Sequence, residues 1–245
     1  FLAQRISSIN AIGALCESTG ADVREVSRAI GTDSRIGRRF LESGPGFGGS
    51  CFKKDILNLV YLSRYFGLPE VADFWESVVH LNYWHQHRIS QLIVKKLFGT
   101  VSSKKITILG FAFKANTNDT RESAAIKICK DLIEEGAELI IHDPKVHPKQ
   151  IEKDLKIAQI PKNDISITAE GGEGGWQFNS NIYDSFLGSD ACVILTEWAE
   201  YSNIDWIKAS KRMRKPSWVF DARSIANVNK VKDAKLSLWR LGDGS

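Results

Sequence analysis

The spacing of apolar residues along this chain changes once, near residue 104, and that change limits the folds open to it. Before it, apolar residues recur at helical spacing, which predicts helices at about 1–18, 23–30, 51–66 and 70–97. After it, β-branched runs alternate with helical segments, starting with a strand at 105–110, a helix at 121–135 and a strand at 138–142. This βαβ order requires parallel strands joined by a right-handed crossover. We therefore predict an α/β protein: an all-helical region followed by an open, mainly parallel Rossmann-like sheet with helices on both faces.

The helical region is predicted to span residues 1–99 and the sheet region 100–245. Asp22 and Glu25 have the spacing of a capping box, and Gly31 is placed to end that helix in a left-handed conformation. The helix at 70–97 follows Pro69 and would be about 42 Å long, as expected of a helix that bridges domains or forms a subunit interface.

The remaining sheet is less sharply patterned. Strands are predicted at 191–196, 217–221 and 235–240, with helices near 148–156 and 203–211. The stretch from 144 to 183 reads as a surface excursion with a short strand near 165–169.

Composition excludes several classes of protein. No apolar run approaches the roughly 18 residues that a membrane helix needs. Four cysteines without a C-x-x-C pair argue against a disulfide framework or a zinc site, and favour a reducing compartment, which we expect to be the cytoplasm. The net charge of +4 gives no reason to expect nucleic acid as a partner. His85 and His87, two residues apart, would point to different faces of a helix, so no metal site is expected there.

Cys51 has the sequence surroundings of a reactive thiol. It follows the glycine-rich run Gly44–Ser50 and opens the predicted helix at 51–66. A helix start favours an anion, and Lys53 and Lys54 add positive charge. Asp55 lies four residues on, so its carboxylate shares a helical face with the sulfur. Glycines before the helix also allow a substrate to approach the backbone closely.

A structural alternative stays open for Cys51, because free cysteines are often buried and glycine runs often form plain turns. The other cysteines provide the contrast. Cys16, Cys129 and Cys192 all have apolar neighbours and read as core residues.

A second candidate site follows the first strand of the sheet region, where ligands of open α/β sheets bind. The loop Phe111–Ser123 lacks a G-x-G-x-x-G motif and carries Lys114 and Arg121 before a helix. Arg223 follows the strand at 217–221, at the same edge of the sheet. Lys114 and Arg223 are therefore candidates for holding a diphosphate, unless both are ordinary surface cations.

Three motifs in this order carry a resemblance to a known family. They are the Gly44–Cys51 run with Lys54 and Asp55, the Leu109–Lys114 segment with Asp119–Ser123, and Phe220–Arg223. Together they resemble the UDP-glucose/GDP-mannose dehydrogenase family over positions 1 to about 239, and the opening residues Phe1–Asn10 favour the UDP-glucose 6-dehydrogenase branch. Dehydrogenases of GDP-mannose or UDP-N-acetylmannosamine remain alternatives.

The resemblance implies a reaction and a set of roles. Family enzymes use two NAD per turnover to oxidise UDP-glucose to UDP-glucuronate, through a thiohemiacetal and a thioester on the cysteine. Cys51 would be the nucleophile and Asp55 its helper in hydrolysis. Lys54 and Arg121 would contact the cofactor. Substrate would be bound by Gly44, Gly46, Phe47, Gly48, Phe113, Lys114 and Arg223, and by Arg35 reaching into a neighbouring subunit of a homodimer.

Two departures from the family pattern and two rival functions qualify this assignment. Ala222 stands where the family pattern has glycine, and the chain begins inside a helical pattern at Phe1. The family's NAD-binding domain is accordingly expected upstream of Phe1, and the chain is expected to be a C-terminal part that has no turnover by itself.

The rival functions are a nucleotide-binding or oligomerisation module with no redox role, and a plain NAD(P)-binding domain in which Asp143 holds a ribose.

Overall fold

The computed structural model describes residues 1–160 and 174–244. Its first part is helical, and each helix begins and ends within one residue of its predicted bounds. The four helices are α1 (Leu2–Thr19), α2 (Val23–Gly31), α3 (Phe52–Tyr65) and α4 (Pro69–Lys96). Asp22 caps α2 by accepting a hydrogen bond from the Arg24 N–H at 2.9 Å. Gly99, at φ 80°, follows α4 in the left-handed conformation.

Within its described residues, the second part of the chain forms a six-stranded sheet in which every neighbouring pair is parallel, in the order β3-β2-β1-β4-β5-β6. This confirms the predicted Rossmann-like α/β architecture. Its strands are β1 (Lys105–Leu109), β2 (Glu138–His142), β3 (Gly175–Phe178), β4 (Ala191–Ile194), β5 (Trp218–Asp221) and β6 (Ser237–Arg240). Its helices are α5 (Ala124–Glu134), α6 (Pro148–Leu155), α7 (Ile182–Ser185), α8 (Ala199–Ser202), α9 (Trp206–Ser210) and α10 (Val228–Asp233).

Strand β3 corrects the interpretation of residues 144–183 as a surface excursion. Trp176 in this strand is fully buried, and its indole Nε1 donates to the Ile157 carbonyl at 2.9 Å. A four-residue edge strand that opens with glycine gives too short a pattern to detect. The strand predicted near 165–169 lies outside the described residues.

Two details of the predicted helix termini are also wrong: the start of α5 and the conformation of Gly31. Helix α5 begins at Ala124, three residues later than predicted, because the Ser123 side chain caps it by accepting from the Ala125 N–H. Glu122 has φ 53°, which a right-handed helix does not allow, so it lies before the helix and not within it. Gly31 remains helical and does not end α2 in a left-handed turn; a Cβ there would be 3.2 Å from the Arg38 Cα.

Helix α4 belongs to both parts of the molecule. Val78 and Val79 pack with Ile56 of α3 in a helical core, whereas Ile89 and Ile93 join the core under the sheet. The long helix therefore contributes to both cores, and the domain boundary at residue 99 stays a proposal. No helix within the described residues is long and apolar enough to cross a bilayer.

Candidate functional site

Three loops at the carboxyl edge of the sheet meet the glycine loop, residues 43–50, at the side chain of Arg223. Its Nε donates to the Leu195 carbonyl at 2.8 Å and its Nη2 to the Phe113 carbonyl at 3.2 Å. Its Nη1 lies 3.3 Å from where a Cβ on Gly44 would be. The sheet thus brings Arg223 and the loop that carries Phe113 and Lys114 together, as their positions after parallel strands predicted.

Acidic groups balance the charge of Arg223. Burial lowers the pKa of Arg223, whereas the charges of Glu197 and Asp221 raise it. Glu197 Oε2 is 3.1 Å from Arg223 Nε, and its Oε1 accepts from the Ala115 N–H at 3.3 Å. Because guanidinium groups stay protonated in proteins, Arg223 is a fixed, partly buried cation. Glu197 was not among the predicted residues.

Two neighbouring cavities share the side chains of Arg38, Glu42 and Arg223. The first, of about 530 Å³, also contacts Arg39, Phe40, Gly44 and Gly46, and the second, of about 590 Å³, contacts Arg24 and Arg28. Both volumes suit a small-molecule ligand. Positive charge predominates in both linings, which favours an anionic ligand. Arg38 and Arg39 were missed from the sequence because nothing in their local pattern distinguishes them from surface arginines.

The glycine loop is fixed to the helices by buried polar side chains that the sequence interpretation also missed. Asn82 accepts from the Phe47 N–H at 2.9 Å and donates to the Phe47 carbonyl at 3.1 Å. Asn10 accepts from the Gly44 N–H at 3.0 Å. His85 Nε2 lies 3.0 Å from the Gly44 carbonyl and donates to it in the corresponding tautomer. Asn82 and His85 lie on the same buried stripe of α4 as Val78 and Ile89, a pattern that could have indicated them.

Close approach explains two of the predicted substrate-loop glycines. Gly46 has φ 128°, and a Cβ there would lie 2.6 Å from Asn82 Oδ1. A Cβ at Gly48 would lie 2.5 Å from the Glu122 carbonyl oxygen. The space beside these glycines is therefore occupied by the protein itself. Phe47 between them is buried, with 5% of its surface exposed.

Cys51 is exposed at the start of α3, and its sulfur lies 3.6 Å from Ser50 Oγ. The other three cysteines are buried, and burial raises the pKa of each thiol. The predicted contrast between Cys51 and the core cysteines is therefore present. Asp55 lies on the first turn of α3 and is also exposed, with its N–H donating to the Cys51 carbonyl at 2.9 Å.

The cations near Cys51 are arranged differently from the sequence interpretation. Lys53 pairs with Glu122, at 3.0 Å from each carboxylate oxygen, so that carboxylate offsets its charge. Lys54 is exposed and forms no ion pair with any described residue. The pKa of Arg121 is raised first by its hydrogen bonds to Asp119, and to a lesser extent by the charge of Cys51. Arg121 is therefore within electrostatic range of the sulfur.

Arg35 is not brought to this site within its own chain. Its side chain is 88% exposed and pairs with Asp33 at 2.6 Å. Arg5 holds the loop in place by donating to the carbonyls of Ile36 and Gly37, at 2.7 and 2.9 Å. The guanidinium of Arg35 thus projects into solvent.

The sheet itself does not fit a dinucleotide. Asp143, the candidate ribose ligand, is 4% exposed, and its two oxygens accept from the backbone N–H groups of Phe111, Ala112, Lys145 and Val146 and from the Trp198 indole. The loop that follows β1 has no G-x-G-x-x-G turn, and the bulky Phe111 within it is fully buried. These residues leave no cradle for NAD after β1, which counts against the plain NAD(P)-binding rival.

Comparison with known proteins matches both parts of the chain to one family. Residues 1–84 match the central domain of the UDP-glucose/GDP-mannose dehydrogenase family, and residues 107–228 match the UDP binding domain of that family.

Among curated proteins, UDP-glucose 6-dehydrogenase of Drosophila melanogaster is 48% identical over 242 residues, covering 99% of this chain and 50% of that protein. The Gallus gallus UDP-glucose 6-dehydrogenase is 50% identical over 226 residues, covering 92% of this chain and 44% of that protein. The chain spans about half the length of the curated relatives it matches.

Solved structures agree with the fold. A UDP-glucose dehydrogenase from Pyrobaculum islandicum superposes with a TM-score of 0.77 at 26% identity, covering 100% of this chain and 49% of that one. A UDP-D-ManNAc dehydrogenase from Pyrococcus horikoshii gives 0.73 at 24% identity, covering 99% and 49%, and supports the fold alone.

Proposed function

This chain belongs to the UDP-glucose/GDP-mannose dehydrogenase family, and we propose that it supplies the nucleophilic cysteine and the UDP-sugar site of a UDP-glucose 6-dehydrogenase. One observation carries this proposal: a single loop, residues 43–50, has the Arg223 guanidinium at one end and the exposed Cys51 thiol at the other. A diphosphate held at Arg223 would leave an attached sugar to extend along the loop towards the sulfur.

Substrate binding follows from the charges of the cavities. Arg223, with Lys114 on the adjoining loop, would bind the diphosphate through charge-assisted hydrogen bonds. The buried Phe47 and the glycines at 44, 46 and 48 would set the course of the loop beneath the sugar. Phe113, whose ring lies 5.3 Å from Lys114 Nζ, would pack against the nucleotide.

Cys51 and Asp55 would perform the acyl chemistry. The Cys51 sulfur attacks an aldehyde at C6 of the sugar, and the carbonyl oxygen takes up a proton to give a thiohemiacetal. After oxidation to the thioester, water adds to the carbonyl carbon and the C–S bond breaks, which releases UDP-glucuronate and restores the thiol. Asp55, one turn along α3, is placed to orient or deprotonate that water.

NAD is the hydride acceptor that the family implies, and the described sheet does not fit it. We propose that it binds in the portion of the enzyme corresponding to the half of the relatives that this chain does not match. Lys54 and Arg121, both exposed beside Cys51, would then contact the cofactor from this side.

We further propose a homodimer formed through the helical region. The partner copy would receive Arg35 at its substrate site, and this requires a self-complementary face. Exposed aromatic residues on and after α3 supply apolar surface for such a contact: Tyr61, Tyr65 and Phe66 are 65%, 72% and 70% exposed. A cytoplasmic location stays a prediction from cysteine usage.

Calorimetry with UDP tests the nucleotide site. The unmodified chain is expected to bind UDP and UDP-glucose, and Arg223→Gln is expected to weaken UDP binding about tenfold, since a charge-assisted hydrogen bond contributes about 1.5–3 kcal/mol. Arg212→Gln is a matched control, because Arg212 lies at the opposite edge of the sheet. Its side chain pairs with Asp184, and its carbonyl accepts from the Gly188 N–H before β4.

UDP-glucose should also protect Cys51 from iodoacetamide, more strongly than UDP does. Equal UDP affinity in the Arg223 and Arg212 variants would contradict the assigned diphosphate site. Binding of UDP without protection of Cys51 would favour the non-redox nucleotide-binding module. Tighter binding of GDP-mannose than of UDP-glucose would move the chain to another branch of the family.

A further inference from the structure

The β1–α5 loop contacts α3 and α4 through side chains that have no role in the proposed reaction. Lys53, on the first turn of α3, lies 3.0 Å from both carboxylate oxygens of Glu122. The Tyr83 hydroxyl on α4 donates to the same carboxylate at 3.4 Å, and the Tyr83 ring centroid lies 5.2 Å from Lys53 Nζ. Lys53, Glu122 and Tyr83 are together termed the clasp.

The backbones of the two parts also touch at this point. The Gly49 N–H donates to the Arg121 carbonyl at 2.7 Å, and Gly48 packs against the Glu122 carbonyl and the Phe113 Cβ so closely that a methyl group would not fit. The Phe113 N–H in turn donates to the Asp119 carbonyl at 3.1 Å. The loop from Phe113 to Glu122 is thus pinned at both ends against the segment that carries Cys51.

Two features set the clasp apart from an ordinary surface ion pair. Glu122 adopts φ 53°, a left-handed conformation that is uncommon for a residue other than glycine, and this conformation accompanies its contact with Lys53. The clasp also immediately adjoins reacting groups, since Lys53 is two residues from Cys51 and Glu122 is next to Arg121.

We infer that Lys53, Glu122 and Tyr83 are positioning residues that hold Arg121 and its loop against the Cys51 thiol. This rests on the proposed function of Cys51 as the nucleophile. The two side chains of the pair are partly exposed, 29% for Lys53 and 41% for Glu122, so the pair contributes little to global stability. Its effect should instead be local, on the reactivity of the sulfur.

The rate at which iodoacetamide alkylates Cys51, followed by peptide mass spectrometry, separates positioning from simple electrostatics. If only charge mattered, Lys53→Gln would slow alkylation by disfavouring the thiolate, whereas Glu122→Gln would speed it by removing an anion. Loss of positioning predicts that both variants slow alkylation, by roughly threefold or more. Glu122→Asp keeps the charge but shortens the reach, so positioning alone predicts that it too is slower.

Rescue and control variants complete the experiment. The exchange Lys53→Glu with Glu122→Lys restores the pair and should return the rate to within about twofold of the unmodified chain. Glu76→Gln breaks the Arg64–Glu76 pair, at 2.6 Å, which joins α3 to α4 at the far end of α3 and should leave the rate unchanged. Alkylation of the buried Cys129 in each sample reports any unfolding.

Faster alkylation in Glu122→Gln, or an unchanged rate in Glu122→Asp, would overturn the clasp. Failure of the exchanged pair to restore the rate would do the same. These outcomes are independent of UDP calorimetry on the unmodified chain, so a failed clasp and a failed nucleotide site can be told apart.

Discussion

At the scale of single residues, the glycine loop depends on buried polar groups on α1 and α4. His85 is the most informative, because it is 1% exposed and burial, with a smaller contribution from the charge of Arg88, lowers its pKa from 6.5 to about 4. It is therefore neutral at physiological pH, as donation from Nε2 to the Gly44 carbonyl allows. Protonation of His85 at low pH would therefore affect the glycine loop that precedes Cys51.

The lowered pKa predicts the pH dependence of stability. Unfolded chains protonate His85 below about 6.5, whereas the folded chain does so only near 4, so the unfolded state binds more protons in that window. The free energy of unfolding should fall as pH falls, by about 2 kcal/mol between pH 7 and pH 5. Urea unfolding of His85→Gln at the two pH values should lack this contribution. An identical pH dependence in both proteins would contradict a buried neutral His85.

At the scale of elements, two loops bring the glycine loop of the helical region against the carboxyl edge of the sheet. The glycine loop and the β1–α5 loop approach at Gly48, where a Cβ would lie 2.9 Å from the Phe113 Cβ and 2.5 Å from a backbone oxygen. Neither neighbour is the end of a flexible side chain. The loops must separate if this position carries any side chain.

Gly48→Ala is therefore expected to cost about 1–3 kcal/mol of unfolding free energy and to weaken UDP-glucose protection of Cys51. Gly67→Ala is the control, because Gly67 follows α3 at φ 73° with open space around it, and tests the backbone cost of alanine without crowding. Urea unfolding and iodoacetamide protection measure the two effects. Protection that survives in Gly48→Ala would show that loop contact is dispensable.

At the scale of the whole molecule, the helical region exposes several large apolar side chains. On α4, Phe74 and Trp84 are 54% and 49% exposed, while the buried stripe runs through Asn82 and His85. Tyr61 and Tyr65 of α3 are exposed as well. This arrangement supports the proposed dimer, whose partner would also receive Arg35.

Light scattering during gel filtration should report twice the chain mass. Phe66→Glu is expected to weaken association by tenfold or more, because burying a phenylalanine contributes about 1.5–3 kcal/mol and a carboxylate there would be desolvated. Leu187→Glu, at a residue 63% exposed in the sheet region, is the matched control and should leave the mass unchanged. A monomeric unmodified chain, or equal effects of the two substitutions, would contradict dimerisation through the helical region.

Local pattern determined most elements of this protein, although not the edge strand β3 or the start of α5. Helical spacing, Pro69 and the Asp22 cap located α1–α4 to within one residue, and the βαβ order predicted the parallel sheet, because these signals act between residues close in sequence. The contrast between Cys51 and the core cysteines came from neighbouring residues in the same way. The motifs at 44–51, 109–123 and 220–223 identified the family before any fold was known.

Tertiary structure decided which residues of those elements contact one another. Whether Lys53 adds charge to Cys51 or pairs with Glu122 depends on a residue 69 positions away, and Arg223 meets Gly44 only because parallel strands end at one edge. Packing also decides the role of Asp143, whose two carboxylate oxygens accept hydrogen bonds from backbone N–H groups of the protein itself. A local sequence pattern indicates which residues are buried or charged. The partner of each charge depends on how distant segments pack together, which a local pattern does not contain.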